Sequence, residues 1–119
     1  MKGYFIMKTV FISCRIRGDI KQNIADGRIY YKYAVKQNVA PLMPHIVLAD
    51  GILNDDILEE REKGIEIAKA IVKKADELWA IIDDEKGMSD GMLAEIIIAE
   101  EAGIPIIKLL RSEILGKMN

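Results

Sequence analysis

The feature that most constrains this chain is the alternation of short β-branched runs with longer segments of helical period. Thr9–Cys14 (TVFISC), Val39–Met43, Glu77–Ile82 (ELWAII) and Ile104–Leu110 read as strands. Between them, Ile20 to about Gln37 carries Ile20, Ile24, Tyr31, Ala34 and Val35 at helical spacing, and about Asp56 to Ala75 places Ile65, Ala68, Val72 and Ala75 on one face. A third helix covers Asp90 to Ala102, closed by Gly103 as C-cap. His45 to Asn54 reads as a loop, and the last nine residues leave room for no more than a short helix or tail. Strands alternating with helices of this length imply right-handed βαβ units, hence an α/β fold: a small Rossmann- or flavodoxin-like three-layer domain around a four-stranded parallel sheet.

The 119 residues fit one domain, read over 9–119, with residues 1–8 an N-terminal extension or the start of strand one. A net charge of −2 argues against nucleic acid as a partner. The single cysteine, Cys14, cannot form an internal disulfide, and no apolar run approaches the roughly 18–20 residues that cross a bilayer, so a cytoplasmic protein off the membrane is expected. One His and one Cys without ligand spacing predict no metal site, and no Walker or GxGxxG sequence supports ATP or a dinucleotide; no cofactor is expected.

In an open parallel sheet, ligands bind outside the carboxyl ends of the strands. That rule selects Ser13–Asp19, Met43–Ala49 and Asp83–Glu95, where the polar residues of unusual type also fall. The turn after strand one offers Ser13, Arg15, Arg17 and Gly18. His45 follows Pro44; a lone loop histidine is more often a hydrogen-bonding surface residue than a catalyst. Ser89, ahead of Asp90-Gly91, is placed as an N-cap, and a helix start with unpaired N–H groups and nearby glycine is also an anion site.

Glu95 is the most informative residue. It interrupts an otherwise apolar helix (MLAEIIIA), and at about 100° per residue Gly91, Ala99 and Ala102 lie within about 40° of it. A carboxylate on such a close-packed stripe is partly desolvated, which raises its pKa and marks either a structural partner or a function. Leu93 and Ile97 lie on the opposite side, so the helix is apolar nearly all round; a second copy of the chain is the expected cover, giving a homodimer or higher homo-oligomer.

Taken together, Phe11-Ile12-Ser13 with Arg17-Gly18, Pro44-His45, Ala75-Asp76-Glu77-Leu78-Trp79 and Ser89-x-Gly91-x-x-x-Glu95 resemble the nucleoside 2-deoxyribosyltransferase superfamily over roughly residues 9–110. That group includes the 2'-deoxynucleoside 5'-phosphate N-hydrolases, and the chain is most similar to its uncharacterised, partly phage-borne branch. The resemblance implies a nucleotide-like small-molecule partner, with Glu95 as nucleophile at the anomeric carbon of an N-glycoside. Ser13, Arg15, Arg17, Gly18, His45, Ser89 and Gly91 would bind the substrate, Arg17, Gly18 and Ser89 taking a 5'-phosphate. Serine at 89, where the transferases of free nucleosides carry aspartate, favours a nucleoside monophosphate.

One departure bears on activity. The family draws a second carboxylate from the helix before strand three, and the matching position is Ala68; Asp83 is the expected substitute, with Glu62, Glu66 and Asp84 as others. The expected reaction is cleavage or transfer of the N-glycosidic bond of a (deoxy)nucleoside 5'-monophosphate. Its rival is a non-catalytic nucleotide-binding or sensing module with the same pocket. A second carboxylate within about 5–6 Å of Glu95 distinguishes the two.

Overall fold

Strands whose residues are apolar on both faces must be covered on both faces, and this sheet is. The computed structural model describes residues 6–119, so part of the expected extension over 1–8 lies outside the described residues. Strand β1 (Thr9–Ser13) lies at the centre, paired in parallel with β2 (Ala40–Leu42) on one side and β3 (Glu77–Ile82) on the other. Strand β4 (Ile106–Leu110) completes the order β2-β1-β3-β4, all parallel. Five helices follow the strands: α1 (Ile20–Lys36), α2 (Pro44–Ala49), α3 (Leu58–Val72), α4 (Asp90–Glu101) and α5 (Arg111–Met118).

Alternation along each strand sends successive side chains to opposite layers. Phe11, Leu78 and Ala80 meet Ala68 and Val72 of α3 and Met92, Ile96 and Ala99 of α4 on one face. Val10, Ile12, Trp79 and Ile81 meet Tyr30 and Ala34 of α1 and Ile114 of α5 on the other. The result is the expected three-layer α/β domain. The start of the sheet is pinned by Asp76, whose Oδ2 accepts from the Thr9 backbone N–H at 2.7 Å and from the Thr9 hydroxyl at 3.1 Å, so this motif residue is structural. The chain passes from β1 to β2 on one side and then crosses back over β1 to β3 on the other, which makes the carboxyl ends of β1 and β3 the switch point.

Three expectations need correction. The segment read as a loop after Pro44 begins with α2, started by proline in its first turn; with six residues and none buried, it is too short to show a period. The helix expected from Asp56 to Ala75 is shorter at both ends. The inner face of α1 is Asp26, Gly27, Tyr30 and Ala34, while Ile20, Tyr31 and Val35 are exposed. Two polar constraints set that rotation. Asp26 is buried against Arg111, whose Nε donates to Oδ2 at 3.1 Å and whose NH2 group stands 3.0 Å from the same oxygen, and Gln22 donates to Oδ1 at 2.9 Å. Gly27 faces α2 so closely that a Cβ there would run into the Ile46 side chain.

Candidate functional site

At the carboxyl end of β1 the chain turns through Arg15–Asp19, and Gly18 adopts φ +96°, a left-handed conformation that favours glycine. Asn23 of α1 holds this turn by donating to the carbonyls of Ile16 and Arg17, both at 3.0 Å. Across the switch point, α4 opens at Ser89, whose Oγ accepts from the Met92 N–H at 3.2 Å. The N-cap role is therefore real, and the hydroxyl hydrogen stays free to donate. Between these two starts, and walled on the far side by α2 and α3, lies an open cavity of about 680 Å³, within the roughly 300–1,000 Å³ usual for small-molecule sites.

Glu95 reaches this cavity from the second turn of α4. Its Oε1 accepts from Ser13 Oγ at 2.6 Å. Its Oε2 has no hydrogen-bond partner among the described residues, and the residue as a whole lines the cavity. Desolvation raises the Glu95 carboxyl from its ordinary value to about 7, and the Ser13 hydroxyl pulls the other way. The small-residue stripe that flagged Glu95 is only partly inward: Ala99 is fully buried, but Gly91 and Ala102 are exposed. From α4, the wall is built by Gly91, Met92, Ala94, Glu95 and Ile98.

Of the residues expected to bind, Arg15, Arg17, Gly18, His45, Ser89 and Gly91 all line the cavity with Glu95. Their roles differ. One NH2 group of Arg15 donates to the Lys86 carbonyl at 2.7 Å, while its Nε is buried without a partner among the described residues; Arg17 stands 3.8 Å from Asp56 with both side chains exposed. His45 places Nε2 3.5 Å from the Cys14 sulfur, and its Nδ1 is enclosed without a partner. The enclosure pulls the imidazole down to about 4, so it is uncharged at neutral pH and brings no positive charge to an anion. Burial, with the Glu95 carboxylate second, pushes the Cys14 thiol well up and keeps it protonated.

Two expectations are corrected here. Ser13 is not part of the wall: it is fully buried behind Glu95. Asp83 is not brought to the cavity; its Oδ1 caps the turn after β3 by accepting from the N–H groups of Glu85 and Lys86, both at 2.9 Å, and its side chain faces a separate small crevice with Asp26 and Arg111. Those two N–H groups hold its carboxyl below the ordinary range. Ala68 does line the cavity, so the position at which the resemblance expects an acid is apolar, and among the described residues no carboxylate hydrogen-bonds Glu95 or shifts its titration. Sequence reasoning missed Arg61, which stands on the wall with Ala68, and Asp55, just ahead of α3. The spacing of seven from Arg61 to Ala68 is two helical turns and was the available signal.

Asp90 also borders the cavity beside Ser89, so the helix start that could receive an anion carries a carboxylate in its first turn. Among the described residues no cluster of three or more His, Cys, Asp or Glu could hold a metal ion, and no helix is long and apolar enough to cross a membrane.

A family model described as a domain of unknown function (DUF7768) matches residues 8–109. No curated protein matches the chain. Among solved structures, the chain is similar to a conserved protein from Enterococcus faecalis V583, with a TM-score of 0.61 at 18% identity, over 87% of this chain and 63% of that one. The chain thus spans less than two thirds of that protein's length, and at this identity the likeness concerns the fold.

Proposed function

We propose that this chain, which belongs to the DUF7768 family, cleaves or transfers the N-glycosidic bond of a (deoxy)nucleoside 5'-monophosphate, with Glu95 as the nucleophile. The observation that carries this reading is a desolvated carboxylate on the wall of a cavity of about 680 Å³ at the switch point, with one oxygen held by Ser13 and the other without a partner among the described residues. A buried carboxylate with a single hydrogen bond is costly to keep, and a ligand-facing role accounts for its retention. In the step proposed, Oε2 bonds to the anomeric carbon as the carbon–nitrogen bond breaks. The electron pair leaves on the base nitrogen, which takes a proton from water in the open cavity. Water, or a second base, then displaces the glycosyl group from Glu95. The 5'-phosphate lies against Arg17, the Gly18 backbone and the free hydroxyl hydrogen of Ser89, with Arg61 as a further cation on the same cavity.

A second reading, a nucleotide-binding or sensing module, is favoured by Ala68 on the wall and by Asp83 being turned away from it. One experiment separates them. The protein is incubated with a panel of nucleoside monophosphates, released base is measured by chromatography, and melting is followed with each monophosphate and its nucleoside. Base release abolished by Glu95→Ala supports the enzyme. Stabilisation by a monophosphate without base release supports the module. Equal melting with nucleoside and nucleotide, unaffected by Ser89→Asp, removes the phosphate site.

A further inference from the structure

We infer that Ser13 is a positioning residue of this site: its hydroxyl fixes Oε1 of Glu95 and so sets the direction of Oε2. The inference rests on the proposed reading of Glu95 as the reacting group, and its geometry is independent of which nucleotide binds.

Ser13 is the last residue of β1 and pairs with Ala80 of β3, so its backbone is held by the sheet. Its side chain is completely buried, with no water to turn to. Two residues earlier on the same face stands Phe11, which has no hydroxyl to offer. The Oγ to Oε1 distance of 2.6 Å falls in the range of about 2.5–2.7 Å typical of a hydroxyl donating to a charged oxygen. A carboxylate on a helix can rotate about its last bond, and its two oxygens are equivalent, so a half-turn changes nothing. A buried donor fixed on one of them, however, sets the plane of the group and with it the direction of the other oxygen.

The charged and titratable groups facing the same cavity do not replace this contact. Arg15 donates to the Lys86 carbonyl and Arg17 stands near Asp56, and neither hydrogen-bonds Glu95. Arg61 borders the cavity from α3 without a hydrogen bond to Glu95. His45 is uncharged at neutral pH, Cys14 stays a thiol, and the Asp55 and Asp90 carboxylates can only oppose a further negative charge. Ser13 is the one neighbour that draws the Glu95 carboxyl down against its desolvation.

The test is a carbon-13 NMR titration of the Glu95 side-chain carboxyl in the full chain, comparing the protein with Ser13→Ala and Ser13→Thr, and using Glu95→Gln to assign the signal. The midpoint is expected to rise by about one unit in Ser13→Ala and to return toward the starting value in Ser13→Thr, which restores a hydroxyl. Base release from the nucleoside monophosphate that the panel identifies should fall about tenfold in kcat near neutral pH in Ser13→Ala. KM should stay within about twofold, because Ser13 touches no part of the ligand. An unmoved midpoint in Ser13→Ala overturns the inference, as does a Ser13→Ala loss confined to KM. Should Ser13→Ala fail to fold, a Ser13→Thr midpoint displaced as far as one unit also overturns it. If the midpoint moves while no nucleotide is cleaved, the Ser13–Glu95 hydrogen bond is real but the glycosidase reading fails, and the positioning role falls with it.

Discussion

Replacing Glu95 with glutamine should stabilise this protein, and only on the alkaline side. Desolvation lifts the carboxyl from 4.5 in the unfolded chain to about 7 in the fold. Between those two values the folded state binds the proton that the unfolded state has released. Stability therefore falls as pH rises through that window, and is lowest once Glu95 is ionised in both states. At about 1.4 kcal/mol per pH unit, the interval from 4.5 to about 7 corresponds to about 3.5 kcal/mol. Below pH 4.5 the carboxyl is protonated in both states and nothing is lost. Glutamine has the shape of the protonated acid, and its carbonyl oxygen can still accept from Ser13. Urea denaturation at half-unit steps from pH 4 to 8.5 should give matching curves for the two proteins at the acid end. The variant should be more stable by about 2–3 kcal/mol at pH 8. Such a gain from removing a charge is the mark of a group retained for its chemistry. Two pH–stability curves that run parallel, or a variant weaker at pH 8, would refute the argument that burial dominates at this residue.

Two further outcomes follow from features remote from the cavity. Asp26→Ala should cost about 2–4 kcal/mol in urea denaturation, because it leaves the Arg111 guanidinium without its carboxylate between α1 and α5; a loss under about 1 kcal/mol would mean that solvent screens the pair. Leu93 and Ile97 remain exposed on the outer face of α4 in the single chain, at 42% and 55%; if a second copy covers them, light scattering should report a dimer that Leu93→Glu converts to monomer, and a monomeric parent protein would dispose of that idea.

The strands and the long helices were legible because each is a run of one period: TVFISC and ELWAII offer no helical face, and ELWAII is a strand with the same bounds in the fold. Helix α2 was illegible because six residues without a buried face leave no period to detect. The inner face of α1 was misjudged for a different reason. Apolar spacing pointed to Ile20, Tyr31 and Val35, whereas a buried ion pair and a glycine contact, both dependent on partners distant in sequence, turned Asp26 and Gly27 inward. Glu95 could be singled out because a lone acid in an apolar helix breaks a local pattern. Its contact with Ser13 spans 82 positions and leaves no local trace. The same limit applies to Asp83: the sequence set it in the right loop, but only the turn's backbone N–H groups decide that its carboxylate is used there.

The glycine at position 27 ties the shape of the ligand chamber to a residue outside it. Helix α2 contributes Pro44, His45, Leu48 and Ala49 to the chamber wall, yet it has no buried residue of its own to anchor it. Regions with so few buried contacts open first in local unfolding, and amide exchange along α2 should outpace that of β1 and β3. Its seat on α1 depends on the close approach that Gly27 permits to Ile46. A methyl group added there would meet the end of the Ile46 side chain, which must move aside, so the seat of α2 changes without altering any atom that lines the chamber. Affinity and selectivity could thus drift through a position hidden on the back of the pocket, one that no survey of its lining would include.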